Sequence, residues 1–165
     1  MKTKPYDFDE QMQRGNAGAD RLDAVFRDRY KQLVLPVDRE WERRGIDRVF
    51  LTPSGNVWTV EYKTDITGAR THNCFVEMVS VVEHNVLGWA YTSQAEMLAH
   101  YLPEPENICY YIPMSHLRDK LEDWIDAYEP KTVHTKRQDG TRYSSRGLAV
   151  PQHEFEAIAD HVIDV

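Results

Sequence analysis

Apolar residues at Leu22, Val25, Phe26, Tyr30 and Leu33 recur at spacings of three and four. That stripe predicts a helix from Ala17 to about Leu33, starting near Asn16. The polar residues 1–16 before it read as a loosely held arm with an early turn. Residues 38–44, DREWERR, add a short helical turn that Gly45 stops. The period then falls to two. Ile46 to Leu51 and Val57 to Lys63 are rich in β-branched and aromatic residues, and Thr52-Pro-Ser-Gly-Asn56 between them is a run of turn formers. The two segments are therefore expected to pair as an antiparallel hairpin.

Beyond the hairpin, TDITGARTHN reads as a loop and CFVEMVSVVE as a third strand. TSQAEMLAHYL, Thr92 to Leu102, opens on a Ser/Thr cap and keeps helical spacing, so it predicts a helix. NICYYIP at 107–113 is a buried strand. MSHLRDKLEDWIDAYE at 114–129 is a helix capped by Ser115, with Leu117, Leu121, Trp124 and Ile125 at helical spacing. TVHTKRQDGTRYSS forms a hairpin turned at Asp139-Gly140, followed by GLAVP and a last short helix from Gln152. The order αβββαβα, then a hairpin and a helix, is that of one α/β domain over 1–165, with its core at about 17–128 and an extension at 131–165.

The 165 residues suffice for one hydrophobic core. The 41% hydrophobic and 11% aromatic content is that of a folded chain. A formal net charge of −7 means that any nucleic-acid contact must come from a local basic patch. Cys74 and Cys109 lie on predicted strands and the opening MKTKPYDFDE has no apolar core, so a reducing, cytoplasmic setting is expected. No apolar run reaches the roughly 20 residues of a bilayer span. The glycines form no phosphate-cradling loop, the histidines and cysteines lack zinc spacing, and Ser80, Ser93 and Ser115 lack a nucleophile elbow.

The chemistry concentrates in NVWTVEYKTD, residues 56–65. Strand alternation puts Glu61 and Lys63 on one face and Val60 and Tyr62 on the other. A lone surface Glu–Lys pair would contribute at most about 1 kcal/mol and mean nothing by itself. The hairpin register changes its weight, because a turn at Pro53 to Gly55 places Asp47 opposite Glu61. Facing carboxylates repel unless a cation neutralises them, and hard oxygen donors suit Mg²⁺ or Mn²⁺. Lys63 beside them would orient or help deprotonate a water that attacks a phosphate ester, and would stabilise charge in the transition state.

GID at 45–47 followed by VEYK at 60–63 resembles the bipartite signature of the PD-(D/E)XK nuclease superfamily, with Asp47 matching its aspartate, Glu61 and Lys63 matching the (D/E)XK pair, and Ile46 standing where the signature has proline. Across residues 17–128, the element order, KTDITGARTHNCFVE, the GW before TSQAE, and NICYYIP resemble uncharacterised bacterial and phage members. The resemblance implies a restriction-endonuclease-like mixed central sheet flanked by helices, with an αβββαβ core. It implies a nuclease that hydrolyses DNA phosphodiesters, with Mg²⁺ or Mn²⁺ on Asp47 and Glu61 and with Lys63 positioning the nucleophile. It also implies an acid on the first helix, for which Asp20 fits best; Asp23 and Asp28 read as solvated charges near a helix start. Glu77, a charge inside an apolar strand, would face Lys63 or join the metal shell. Phosphate contacts are expected from Arg48, Arg70, Asn73, Lys136, Arg137 and Arg142, and a homodimer would allow two strands to be cut. The alternative is a non-catalytic domain of the same fold that serves as a nucleic-acid-binding or assembly module.

Overall fold

The computed structural model describes residues 6–165. In chain order it contains β1 (Tyr6–Asp7), α1 (Phe8–Asp28), β2 (Leu33–Pro36), α2 (Arg39–Arg43), β3 (Arg48–Leu51), β4 (Val57–Thr64), α3 (Ile66–Thr71) and β5 (Asn73–Val81). A 3-10 turn (Val82–His84) leads to β6 (Val86–Leu87), α4 (Trp89–Thr92), β7 (Met97–Leu102), β8 (Ile108–Pro113) and α5 (Met114–Ala127). The chain closes with β9 (Pro130–Lys136), β10 (Arg142–Pro151), α6 (Gln152–Ile158) and β11 (His161–Asp164).

The central sheet is mixed and runs β2-β3-β4-β7-β8-β11, so its strands lie side by side in the order the chain makes them. All its neighbours are antiparallel except β4 and β7, which are parallel. A parallel step needs a long crossover. Here that crossover leaves the sheet, forms α3, β5, β6 and α4, and builds a second sheet ordered β1-β9-β10-β5-β6.

Alternation along the central strands divides the core into two. On one face, Leu22, Val25 and Phe26 of α1 pack on Phe50, Val60, Tyr62, Met97, Ala99 and Tyr101. On the other, Leu98, Leu102, Tyr110 and Ile112 meet α5, Phe155 of α6, and Cys74, Val76, Leu148 and Val150 of the second sheet. Trp124 stacks on Phe155 with centroids 5.7 Å apart. Helix α1 comes down on β4 through Gly18, where an added Cβ would lie 2.1 Å from Thr64 Oγ1.

Several elements differ from expectation. Helix α1 begins at Phe8 because the Asp7 carboxylate accepts the N–H of Asp9 at 3.0 Å and caps it. Residues 8–16 are thus helical rather than a loose arm, and residues 1–5 of that arm lie outside the described residues. The helix ends at Asp28 and Leu33 opens β2 instead. TDITGARTHN holds the short helix α3, capped by Asp65. CFVEMVSVV is a strand, β5, but it belongs to the second sheet. The largest departure is TSQAEMLAHYL. Its predicted helix shrinks to α4 just before it, and Met97–Leu102 becomes β7, buried at every position. A run apolar on both faces satisfies helical and strand patterns alike, and its place between two neighbours at the centre of a sheet decides the matter. Ser115 does not cap α5; Pro113 occupies that position without a side-chain bond. β11 carried no prediction. Both hairpins, the NICYYIP strand and the Gln152 helix stand where the pattern placed them.

Candidate active site

Arg48 pairs with Val60 as the last rung of the β3–β4 ladder, and continuing that register would set Asp47 against Glu61. The backbone departs from the ladder there, since the Asp47 N–H donates to the Val60 carbonyl at 2.9 Å. Its carboxylate takes over as acceptor: the Tyr62 N–H donates to Asp47 Oδ2 at 2.7 Å. Asp47 is thereby anchored to the backbone of the strand that carries Glu61 and Lys63.

Glu61 is only 2% exposed. Its Oε1 lies 2.6 Å from Lys63 Nζ, and its Oε2 is buried with no hydrogen-bond partner. Lys63 Nζ lies 5.8 Å from the centroid of the Trp89 ring, within cation–π range. Burial alone would push the Lys63 ammonium down, but Glu61, supported by Asp47 and Glu77, outweighs it and holds it above its ordinary value. One third of the Lys63 side chain reaches solvent, so this attraction is partly screened. Burial pushes the Glu77 carboxyl up, with Glu61 adding to it, against the pull of Lys63 and the Trp89 N–H. Three carboxylates, Asp47 just before β3, Glu61 of β4 and Glu77 of β5, thus act on one ammonium.

Among the described residues, no three His, Cys, Asp or Glu side chains form a ready-made metal-ligand group. The donor chemistry nevertheless fits a hard divalent cation. Asp47 and Glu61 offer carboxylate oxygens, and an unpaired buried carboxylate oxygen such as Glu61 Oε2 is costly to leave without a partner.

The opposite face of β4 carries a second polar group of different character. The Tyr62 hydroxyl donates to Asp23 Oδ1 at 3.0 Å, and Arg48 Nε lies 3.0 Å from both Asp23 oxygens. Burial, and then the Asp23 charge, push the Tyr62 phenol well up. Asp23 is 7% exposed, so it is a buried partner rather than a solvated charge. Arg48, expected on a phosphate, is instead engaged internally, since its Nη1 also donates to the Asp47 carbonyl at 2.8 Å. Asp20 is exposed on α1. That helix covers the Val60–Tyr62 face, and among the described residues no hydrogen bond or ion pair joins Asp20 to Lys63.

The remaining expected residues lie on two surfaces. Arg70 is exposed in the last turn of α3, and Asn73 Nδ2 donates to the Thr71 carbonyl at 2.8 Å, tying α3 to β5. On the tail hairpin, Lys136 sits directly opposite Arg142, both exposed. Like charges facing each other across a ladder are unfavourable, and an anion would relieve them. Arg137 lies over the Tyr143 ring at 5.1 Å.

Two residues were missed. In the parallel register Lys63 pairs with His100, which places His100 on the same face as Glu61 and Lys63. His100 is 1% exposed and its ring lies 5.0 Å from that of Phe155. Its Nε2 is 3.4 Å from Asp65 Oδ2, too poorly aligned for a hydrogen bond, so neither ring nitrogen has a hydrogen-bond partner. Asp65 accepts the Gly68 N–H at 2.6 Å and the Phe75 N–H at 2.8 Å. Burial opposes its ionisation, but His100 and these two amides outweigh that and hold its carboxyl below the usual range. The Asp three residues before Gly68 at a strand end is a readable cap pattern. His100 was hidden because its strand had been assigned to a helix.

These elements define a mixed α/β fold with a central mixed sheet flanked by helices, and an acid-rich cluster gathers around Glu61 and Lys63 of its strand β4. No helix among the described residues is long and apolar enough to cross a membrane. Comparison of the chain with family models, curated proteins and solved structures gave no match.

Proposed function

We propose that the protein is a metal-dependent nuclease of restriction-endonuclease-like, PD-(D/E)XK type that hydrolyses phosphodiester bonds of DNA. One observation carries this reading: Asp47, anchored by the Tyr62 N–H, and Glu61, whose carboxylate holds Lys63 at 2.6 Å and keeps a buried, unpartnered oxygen, both act on the Lys63 ammonium. The element order supports it. With the short α2 left out and β5 and β6 taken as an insertion, helix α1, strands β2, β3 and β4, the helices of the crossover and β7 run αβββαβ, although its third strand and second helix are not the segments the sequence pattern assigned to them.

Asp47 and Glu61 would hold Mg²⁺ or Mn²⁺. When bound, the ion supplies Lewis acidity toward a phosphate oxygen. The chain's own groups do the rest. The Tyr62 N–H fixes Asp47, and Lys63, two residues from Glu61 on the same face of β4, donates from its ammonium to a phosphate oxygen and stabilises the charge that develops as the water oxygen bonds to phosphorus and the water's proton passes to solvent. Glu77, its carboxyl pushed up by burial, acts on the same ammonium and helps place it, while the departing oxygen takes its proton from solvent as the P–O bond breaks. Arg70, Lys136 and Arg142 are free to meet the phosphate backbone, and each such contact makes binding weaken with salt.

The test is plasmid and single-stranded DNA incubated with Mg²⁺ or Mn²⁺. Lys63→Ala should lower the rate about a hundredfold or more, and cleavage that survives it removes the mechanism. Among the described residues no three-ligand group stands ready, which favours a second reading, a non-catalytic module of the same fold. That module would retard DNA in a gel, cleave nothing, and show no rise in Tm with Mn²⁺.

A further inference from the structure

We infer that Lys63 is the resident cation of this site, and that a divalent ion enters only by moving its ammonium off Glu61 and away from Trp89. The inference rests on the metal-site reading above and concerns how that site is kept closed. Lys63 Nζ is bound at 2.6 Å to the same carboxylate that must turn toward the ion. The ammonium is also the point on which Asp47 and Glu77 act, and no second cation of the chain reaches those carboxylates among the described residues. Glu61 Oε2 is free, but an ammonium held 2.6 Å from Oε1 would stand within a few ångströms of an ion on Oε2, and their repulsion there exceeds what a partly screened site offsets. The Trp89 ring, 5.8 Å from Nζ, reports the departure. Lys63 therefore has two positions, one that neutralises the acids in the resting protein and one that becomes available to substrate once the ion has replaced it. Binding of metal and readiness of the lysine are then a single event, which restrains the group from acting before the ion is present.

The experiment measures Mn²⁺ affinity by electron paramagnetic resonance of the free ion. It also follows tryptophan emission during Mg²⁺ titration, in the wild-type chain, Lys63→Met and Trp89→Phe. Lys63→Met should bind Mn²⁺ about tenfold or more tightly than wild type, the size of an ordinary coupling between two bound charges. The wild-type emission should change saturably with Mg²⁺, and that change should be absent from both variants while Trp89→Phe keeps its Mn²⁺ affinity. Wild type that binds Mn²⁺ no more weakly than Lys63→Met overturns the displacement and leaves the metal site standing. So does an emission change that persists in Lys63→Met. If no folded form binds Mn²⁺, the metal reading falls and the displacement with it. Should Lys63→Met fail to fold by circular dichroism, Lys63→Gln, with its polar end, carries the same comparison.

Discussion

The two faces of β4 each carry an acid, a base and a neighbouring aromatic ring, and they are built in opposite ways. On the α1 face, Asp23 receives Arg48 and the Tyr62 hydroxyl, and both its oxygens are matched. On the other face, Glu61 holds Lys63 through one oxygen and leaves the second buried without a donor. A satisfied buried network rigidifies the fold, whereas a half-satisfied one is a cost that a bound group can remove. The difference separates a structural group from a candidate site more sharply than residue type does, because both faces contain the same kinds of charge.

Breaking the satisfied side should cost most. Asp23→Ala leaves the Arg48 guanidinium and the Tyr62 hydroxyl without their acceptor, and should lose about 3 to 5 kcal/mol in urea unfolding while Mn²⁺ affinity is unchanged. A loss under about 1 kcal/mol would show that the network does not hold α1 to the sheet. Asp65→Asn comes next, because it removes one acceptor from the Gly68 and Phe75 amides and should cost about 1 to 3 kcal/mol. The folded carboxyl lies below its unfolded value, so its contribution is present above about pH 4 and fades as pH falls through the lowered value. The asparagine variant should therefore show a flatter acid limb when stability is compared at pH 7, 4 and 3. A limb as steep as wild type would assign the acid sensitivity elsewhere. The smallest stability change is expected at Glu61→Gln, within about 1 kcal/mol, since Lys63 is partly solvated and keeps Asp47 and Glu77 nearby. Yet this variant should lose Mn²⁺ binding, read by paramagnetic resonance. An equal loss of stability at Asp23 and Glu61 would erase the contrast between the faces.

Much of the site could be read in the chain. The turn formers at Thr52 to Asn56 fixed the hairpin register closely enough to bring Asp47 onto the backbone of the strand that carries Glu61, and strand period put Glu61 and Lys63 together. Glu77 joined them as expected of a charge in an apolar strand, although it arrives from the second sheet. Asp23 and Arg48 were misassigned because their partnership spans 25 residues and depends on which way α1 lies across β4. His100 was lost with β7, whose residues are buried on both sides and so show no alternation.

Local chemistry by itself determined the hairpins, the acid–ammonium pair and the sign of the tail hairpin. These depend on turn preferences, side-chain period and charge within a few residues, and such forces do not need a partner element. Tertiary structure alone decided that Met97–Leu102 is the strand parallel to β4, that α1 sequesters Asp23 with Arg48, and that Glu61 keeps an unmatched oxygen. Each of those outcomes turns on what a segment is buried against, and burial is a property of the assembled layers rather than of any stretch of chain.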